Sequence, residues 1–517
     1  MEEQNFKIVV VGGGTAGWLT SLIIRHYARE SKLPVEIRVV ESSKIPTIGV
    51  GEGTTAIFRQ TLDLIGVKDT EFVKHTGATV KLGIRHKEWL RRNHVYDGPL
   101  DDPNFLAVDP SFRPEEIGSA LHIYSVASGK EIPNVHLFGH LMKREKSPYG
   151  LDLDGAFIPS GPFEHAYHFD QARVGAYLRS KADDIEIIDD EVVDVELDAE
   201  SGSIAKLRCS SGAEISADFF IDCTGFRRQL ISGGLGGKWV SYRKNLPVNR
   251  AMPFWLEHKE GDEILPFTLA WAREAGWMWA IPTQDRIGCG YVYSDEFLTP
   301  EQAQQEIEAA IGQPIEPRKD LKFDSGRLDD SWIGNCLAVG LSSSFLEPLE
   351  ATSIHGSIVQ ARLFATEFLP AMTRGKPVDR KRYNSIVAGQ IDDFMVFINL
   401  HYTGERDEPF WRHARENCLH DRTTAMLEHW KTKMPRYHDF AAFPCDLPHI
   451  NAQLYYPVLD GLEHLDRSVA KNELASSPKV RSHARKTTEK FVKENFRITN
   501  KCLGHREYLE KVAESTP

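Results

Sequence analysis

An apolar, β-branched run, Phe6-Lys7-Ile8-Val9-Val10-Val11, stops at Gly12-Gly13-Gly14-Thr15-Ala16-Gly17, and an amphipathic stretch from Trp18 to Tyr27 follows. The change of period from two to 3.6 predicts a strand, a tight turn and a helix. A second apolar run, Val35 to Val40, ends at Glu41. Strand, G-x-G-x-x-G, helix, strand and acid make the dinucleotide-binding fingerprint. Gly12 permits the turn, Gly14 lets backbone N–H groups approach a pyrophosphate, and Gly17 lets the helix pack on the strand. Thr15 and Ala16 belong to the cofactor-binding turn, the helix N-terminus supplies the positive end of its dipole, and Glu41 reaches ribose hydroxyls.

Further along, Phe169-Asp170-Gln171 opens a helix that runs through Leu178. Asp218 to Gly225 reads as a buried strand ending in a small-residue turn, which would rejoin the nucleotide-binding sheet. Strand-like pieces between Trp239 and Ser325, notably Gly288 to Tyr293, and a helix from Pro300 to Ile311 suggest an inserted substrate sheet. After Cys336-Leu337-Ala338-Val339-Gly340 the pattern turns mostly helical, and Ser477-Pro478 reads as an N-cap with proline at the first helical position. The expected fold is α/β: a Rossmann-like FAD-binding lobe of the glutathione-reductase/hydroxylase type, an inserted substrate sheet, and a mostly helical C-terminal lobe. The segments are 1–240 for the FAD lobe, 241–330 for the insertion, 331–365 for the return to the FAD lobe, and 366–517 for a helical region covering the substrate. One N-terminal fingerprint with two later returns, at Asp222 to Gly225 and at Val339-Gly340, suits FAD better than NAD. No second G-x-G-x-x-G offers a nicotinamide site.

The 517 residues carry 62 Lys+Arg against 74 Asp+Glu, a net charge of −12, which argues against a nucleic-acid or anionic-membrane binder. A basic helix face with Lys479, Arg481, Arg485, Lys486, Lys490 and Lys493 is therefore read as a solvated surface. Seven scattered cysteines without a C-x-x-C pair predict neither disulfides nor a zinc site, so no metal is expected and a reducing compartment fits. The N-terminus lacks signal-peptide character, and no apolar run reaches the ~18 residues that span a bilayer. A cytoplasmic protein, with a homodimer as the base-rate assembly, is the expectation.

The ordered segments Gly12-Gly13-Gly14-Thr15-Ala16-Gly17-Trp18, Ile48-Gly49-Val50-Gly51-Glu52-Gly53-Thr54, Lys81-Leu82-Gly83-Ile84, Ala166-Tyr167-His168-Phe169-Asp170, Phe220-Ile221-Asp222-Cys223-Thr224-Gly225-Phe226, Trp277-Met278-Trp279-Ala280-Ile281-Pro282 and Phe345-Leu346-Glu347-Pro348-Leu349-Glu350 resemble the flavin-dependent tryptophan halogenase family. The match runs to about residue 410. The resemblance implies an enzyme that uses reduced FAD and O₂ to oxidise a halide to hypohalous acid, which travels through a tunnel to a separately bound aromatic substrate. Reduced FAD would come from a separate flavin reductase, and chloride or bromide would be the co-substrate.

In that scheme Lys81 binds the hypohalous acid or carries it as a haloamine, although a lysine at a strand's start is ordinarily exposed. Glu350 polarises the electrophile or takes the proton from the halogenated ring; otherwise it is a solvated carboxylate near a helix start. The FAD contacts extend to Gly51, Asp222, Gly225, Val339 and Gly340, and the backbone amides of Thr352 and Ser353 hold the halide. Trp277 and Trp279 share one strand face and, with Ile281 and Pro282, wall the site near the flavin; taken alone, such tryptophans are more often core. The family's usual P-L-E-S-T-G run reads Pro348-Leu349-Glu350-Ala351-Thr352-Ser353 here, so Ala351 removes a serine hydroxyl between the flavin and substrate sites. Before Tyr455-Tyr456 the F-W pair of tryptophan-specific members is missing. Free tryptophan is therefore expected to be a poor substrate, and simple indoles, phenols or larger, carrier-bound or peptidic aromatics better ones. His401-Tyr402 and Phe410-Trp411 offer other walls, with packing as their ordinary role. A flavin hydroxylase of the same fold and a non-catalytic flavin-binding protein are the alternative readings.

Overall fold

The computed structural model describes residues 5–45, 51–113, 117–440 and 443–515. Ile48, Gly49 and Val50 of the Gly51 segment lie outside the described residues. Strand β1 (Phe6–Val11), helix α1 (Thr15–Glu30) and strand β2 (Val35–Glu41) form the expected opening unit. They belong to a six-stranded sheet ordered Glu186–Asp189, β2, β1, Phe219–Asp222, Cys336–Ala338 and Trp332–Ile333, parallel throughout except for its last edge. Val9 and Val10 are both fully buried although they face opposite sides, which is why β1 reads as an unbroken apolar run.

Strand Phe219–Asp222 pairs beside β1, so the first return joins the sheet where the sequence placed it. The helices also start where the local signals set them. Gln171–Ser180 begins at Asp170, whose carboxylate accepts from the N–H groups of Ala172 and Arg173. Pro300–Ile311 begins at a Thr299–Gln302 capping box.

A second sheet of seven strands runs Leu321–Lys322, Arg250–Leu256, Ile287–Tyr293, Gly276–Pro282, Thr268–Arg273, Gly83–Lys87 and Val95–Pro99. The central strands are antiparallel, and Gly83–Lys87 joins parallel to Thr268–Arg273. A small third sheet brings three sequence motifs together: Ala166–Asp170 lies between Gly51–Gly53 and Thr79–Lys81. From Thr352 onward the chain is almost wholly helical, including Arg380–Leu400, Ala452–Gly461, Pro478–Thr499 and His505–Glu514. All seven cysteines are free. Among the described residues no helix is long and apolar enough to cross a membrane.

Candidate active site

The turn after β1 is shaped by glycine. Gly12 has φ +116°, and a Cβ there would lie 2.2 Å from the Cys223 carbonyl oxygen; at Gly17 one would lie 1.9 Å from the carbonyl of Gly12. Helix α1 therefore starts hard against two strand ends. Gly14 is its N-cap and supplies no side-chain cap, the first turn holds no acid, and the space where a Cβ of Gly14 would sit is open. Bare N–H groups beside open space fit the pyrophosphate of FAD. Thr15 donates its hydroxyl to the Gln171 carbonyl (3.4 Å). Ala16 lies under Gly340, where a Cβ would come within 2.8 Å of its methyl group. Glu41 ends β2 and is held by Arg179 at 2.7 Å.

Asp222 is fully buried, and its carboxylate accepts from the N–H groups of Thr224, Leu230 and Ile231 and from the hydroxyls of Thr224 and Ser342. Its side chain is thus spent on fixing the turn at Gly225 (φ +66°). Its carbonyl receives the Val339 N–H, which sets the start of the second return. Gly51 packs against Gly288 and Ile281.

Lys81 ends the strand Thr79–Lys81 and is 1% exposed; its Nζ donates to the Thr54 carbonyl at 3.0 Å. Burial pulls its amine down from 10.5 to about 8, against the opposing charges of Glu350 and Glu52. Glu52, bonded to Gln171, is itself pushed up to about 7 by burial. The lysine strand is latched from far along the chain: His505 Nε2 accepts the Val80 N–H at 3.1 Å, and its Nδ1 donates to the Ile264 carbonyl at 2.7 Å.

Lys81, Glu350 and Thr352 line one cavity of about 890 Å³. Glu350 closes a short turn before helix Thr352–Leu363, and Ala351 between them takes a left-handed conformation (φ 52°) as the helix N-cap, with no side-chain cap bond. The N–H groups of Thr352 and half-buried Ser353 are thereby the bare start of a helix, which suits an anion. Glu350 faces two imidazoles, His401 Nε2 at 3.0 Å and His86 Nε2 at 3.8 Å. Burial would raise its carboxyl, but these two rings bring it down to about 2, so it is ionised. An ionised carboxylate and a buried amine across one cavity can stabilise and deprotonate a cationic ring intermediate.

The family model for tryptophan halogenases matches residues 7–444. The chain belongs to this family. It is 32% identical over 454 residues to the tryptophan 6-halogenase SttH of Streptomyces toxytricini, covering 83% of this chain and 84% of that protein. Among solved structures, Tar14, a tryptophan C-6 flavin-dependent halogenase from taromycin biosynthesis, is 28% identical with TM-score 0.84 over 99% of this chain and all of that one. MibH, a lanthipeptide tryptophan 5-halogenase, is 25% identical with TM-score 0.78 over 100% of this chain and 95% of that chain. The protein is a flavin-dependent halogenase that uses FAD and halide.

In this halogenase Trp277 and Trp279 share a face, with ring centroids 6.3 Å apart, but neither they nor Ile281 and Pro282 line the large cavity. Trp277 donates its N–H to Glu347 at 2.9 Å, and Tyr402 donates its hydroxyl to the same oxygen at 2.6 Å. Burial pushes that second glutamate up to about 7. Tyr402, Phe410 and Trp411 pack on one another in the core, so their ordinary role holds. Tyr455 and Tyr456 are also buried away from the cavity; the first packs on Phe397 and the second bonds the Pro435 carbonyl.

The cavity walls are instead Phe394, Phe397, Phe440 and Phe443, with Leu447, Pro448 and Ile450 from the segment before the tyrosines. His355 spans two walls, linking the Thr55 hydroxyl (2.9 Å) to the Pro448 carbonyl (3.1 Å). Sequence reasoning missed these walls, and also His86 and Glu347. A His at 86 inside I-R-H-K carries no local signal, whereas Glu347 lay three residues before an assigned glutamate and was open to notice.

Proposed function

We propose that this halogenase places chlorine or bromine on an electron-rich arene of the indole type that is larger than free tryptophan, with Lys81 holding the electrophile and Glu350 receiving the ring proton. Bound reduced FAD, delivered by a separate flavin reductase, supplies with O₂ the oxidising power that turns halide into hypohalous acid. The N–H groups of Thr352 and Ser353 hold the halide. The Lys81 ammonium uses one hydrogen on Thr54 and offers the others to the oxygen of the hypohalous acid. As the ring carbon bonds to the halogen, the O–X bond breaks, the oxygen takes a proton from the ammonium and leaves as water. The proton displaced from the carbon passes to the Glu350 carboxylate. The observation that carries this reading is the meeting of Lys81 with Glu350 and Thr352 on one cavity, from two segments about 270 residues apart in the chain.

The size of the substrate is argued from the same space. A cavity of about 890 Å³ stands near the top of the ~300–1,000 Å³ range of ligand pockets. Among the described residues, two groups on the wall beside the aromatic rings that could meet a free amino acid's carboxylate are already engaged, Arg436 by Glu473 and His449 by Asp393. The lanthipeptide named for MibH supports a peptidic arene as one candidate. The test is mass spectrometry of free tryptophan, simple indoles, phenols and tryptophan-containing peptides incubated with the enzyme, a flavin reductase, NADH, FAD and bromide. A bromine isotope doublet on a peptide or substituted indole, absent with Lys81→Ala, is expected. An added oxygen without bromine would replace this reading by the hydroxylase.

A further inference from the structure

His401 Nε2 and a Glu350 carboxylate oxygen lie 3.0 Å apart, a separation that two acceptor atoms keep only with a proton or a metal cation between them. His401 Nδ1 donates to the Phe397 carbonyl at 3.0 Å, which fixes that nitrogen as the N–H of the ring. In the neutral ring, Nε2 then presents a lone pair to the carboxylate of Glu350 at 3.0 Å. The contact lacks hydrogen-bond geometry, and His401 Nε2 is a buried atom with no hydrogen-bond partner. His86 repeats the situation: both its ring nitrogens are buried without partners, and its Nε2 lies 3.8 Å from the same carboxylate oxygen. The two rings lie with centroids 5.1 Å apart, and His86 stacks on Tyr96 at 4.5 Å. Two orphaned imidazole nitrogens and a carboxylate oxygen thus converge, all within 4.8 Å of one another, in the one such His/Cys/Asp/Glu cluster among the described residues.

We propose that His86, Glu350 and His401 form a binding site for a divalent transition metal of the zinc class, and that its occupancy switches halogenation off by taking the Glu350 carboxylate. Zinc accepts two imidazole nitrogens and one carboxylate, at about 2.0–2.2 Å, and leaves a fourth position for water or substrate. Tetrahedral bonds of that length put ligand atoms about 3.3 Å apart, between the 3.0 and 3.8 Å separations found here. Small turns of the rings and the glutamate close the remainder. The bond from His401 Nδ1 to a backbone carbonyl is the outer support that metal-bound histidines ordinarily have. A dication on the carboxylate neutralises the charge that would stabilise the ring cation and occupies the lone pair that would take its proton. The inhibition rests on the role proposed for Glu350; the binding does not.

The test titrates zinc chloride into the full-length protein by calorimetry, alongside His86→Gln and His401→Gln, with FAD binding as the control for folding. One zinc per chain is expected, weakened in each variant by more than the ~10- to 100-fold lost when only an outer partner is removed. X-ray absorption of the zinc-loaded wild type reads the ligand set even if a variant fails to fold; two imidazole nitrogens and a carboxylate oxygen are expected. Absence of saturable binding, a thiolate in the ligand shell, or equal affinity in a folded double variant would overturn the site. Bromination by the same preparation should fall as zinc saturates and recover with a chelator. Zinc bound by this ligand set with undiminished bromination would remove the proposed role of Glu350 and leave the metal site standing.

Discussion

A lysine that is 1% exposed has lost most of the hydration that keeps an amine protonated past pH 10, and Lys81 accordingly loses its proton near pH 8. If the ammonium holds the hypohalous acid, halogenation is full below pH 8 and declines as the pH rises through it; a haloamine route would rise over the same interval. A pH–rate profile of brominated product, corrected for the reductase, tells them apart. Lys81→Met should keep FAD binding and lower bromination by about 10²-fold or more, the usual contribution of a positioned acid. The same burial destabilises the fold, because the depressed amine is penalised at every pH below 8 and relieved only as the pH climbs toward 10.5. Lys81→Met should therefore stabilise the protein at pH 7, on the order of 3 kcal/mol at 1.36 kcal/mol per pKa unit, as read from denaturant midpoints. Lys81 was legible only through its motif, since nothing local says that a lysine at a strand end is buried. His86 and His401 were less legible still as a pair. They stand more than 300 residues apart and meet only because one sits on the substrate sheet and the other ends the helix Arg380–Leu400.

At the scale of elements, the start of helix Thr352–Leu363 places Glu350 and the N–H groups of Thr352 and Ser353, the proposed halide donors. Ala351 pays for a left-handed backbone at that point, a conformation that costs a non-glycine residue about 1–2 kcal/mol. Ala351→Gly should raise thermal stability by roughly 1 kcal/mol. Ala351→Ser restores a hydroxyl between the two sites and should increase the ratio of brominated product to hydrogen peroxide, measured in one reaction. The elements themselves were readable wherever the code is local: β1 and α1 from periodicity and glycine spacing, Gln171–Ser180 and Pro300–Ile311 from their caps. The three-stranded sheet that joins Gly51–Gly53, Ala166–Asp170 and Thr79–Lys81 was not, although two of the strands lie within sequence motifs and the third ends on Lys81, where another begins. Strand pairing across more than 80 residues leaves no trace in the spacing of any one strand.

For the whole molecule, the cavity is the product of packing among distant segments, from Thr55 to Leu454, so its volume follows from no motif. Filling it tests the substrate reading: Leu454→Trp should cut kcat/KM for a bulky indole or peptide by about 10-fold and leave simple indole near its wild-type value, since an overpacked wall rejects only what needs the space. The latch on the lysine strand has its own consequence, which concerns time. His505, the residue that receives the Val80 N–H, is made 425 residues after it. On the ribosome, the nucleotide-binding half is complete long before the strand bearing Lys81 has its last partner. A nascent chain can thus acquire its flavin lobe without yet possessing a finished halogenating centre, and a premature stop shortly before codon 505 should yield a protein that binds flavin and wastes its oxidant as peroxide.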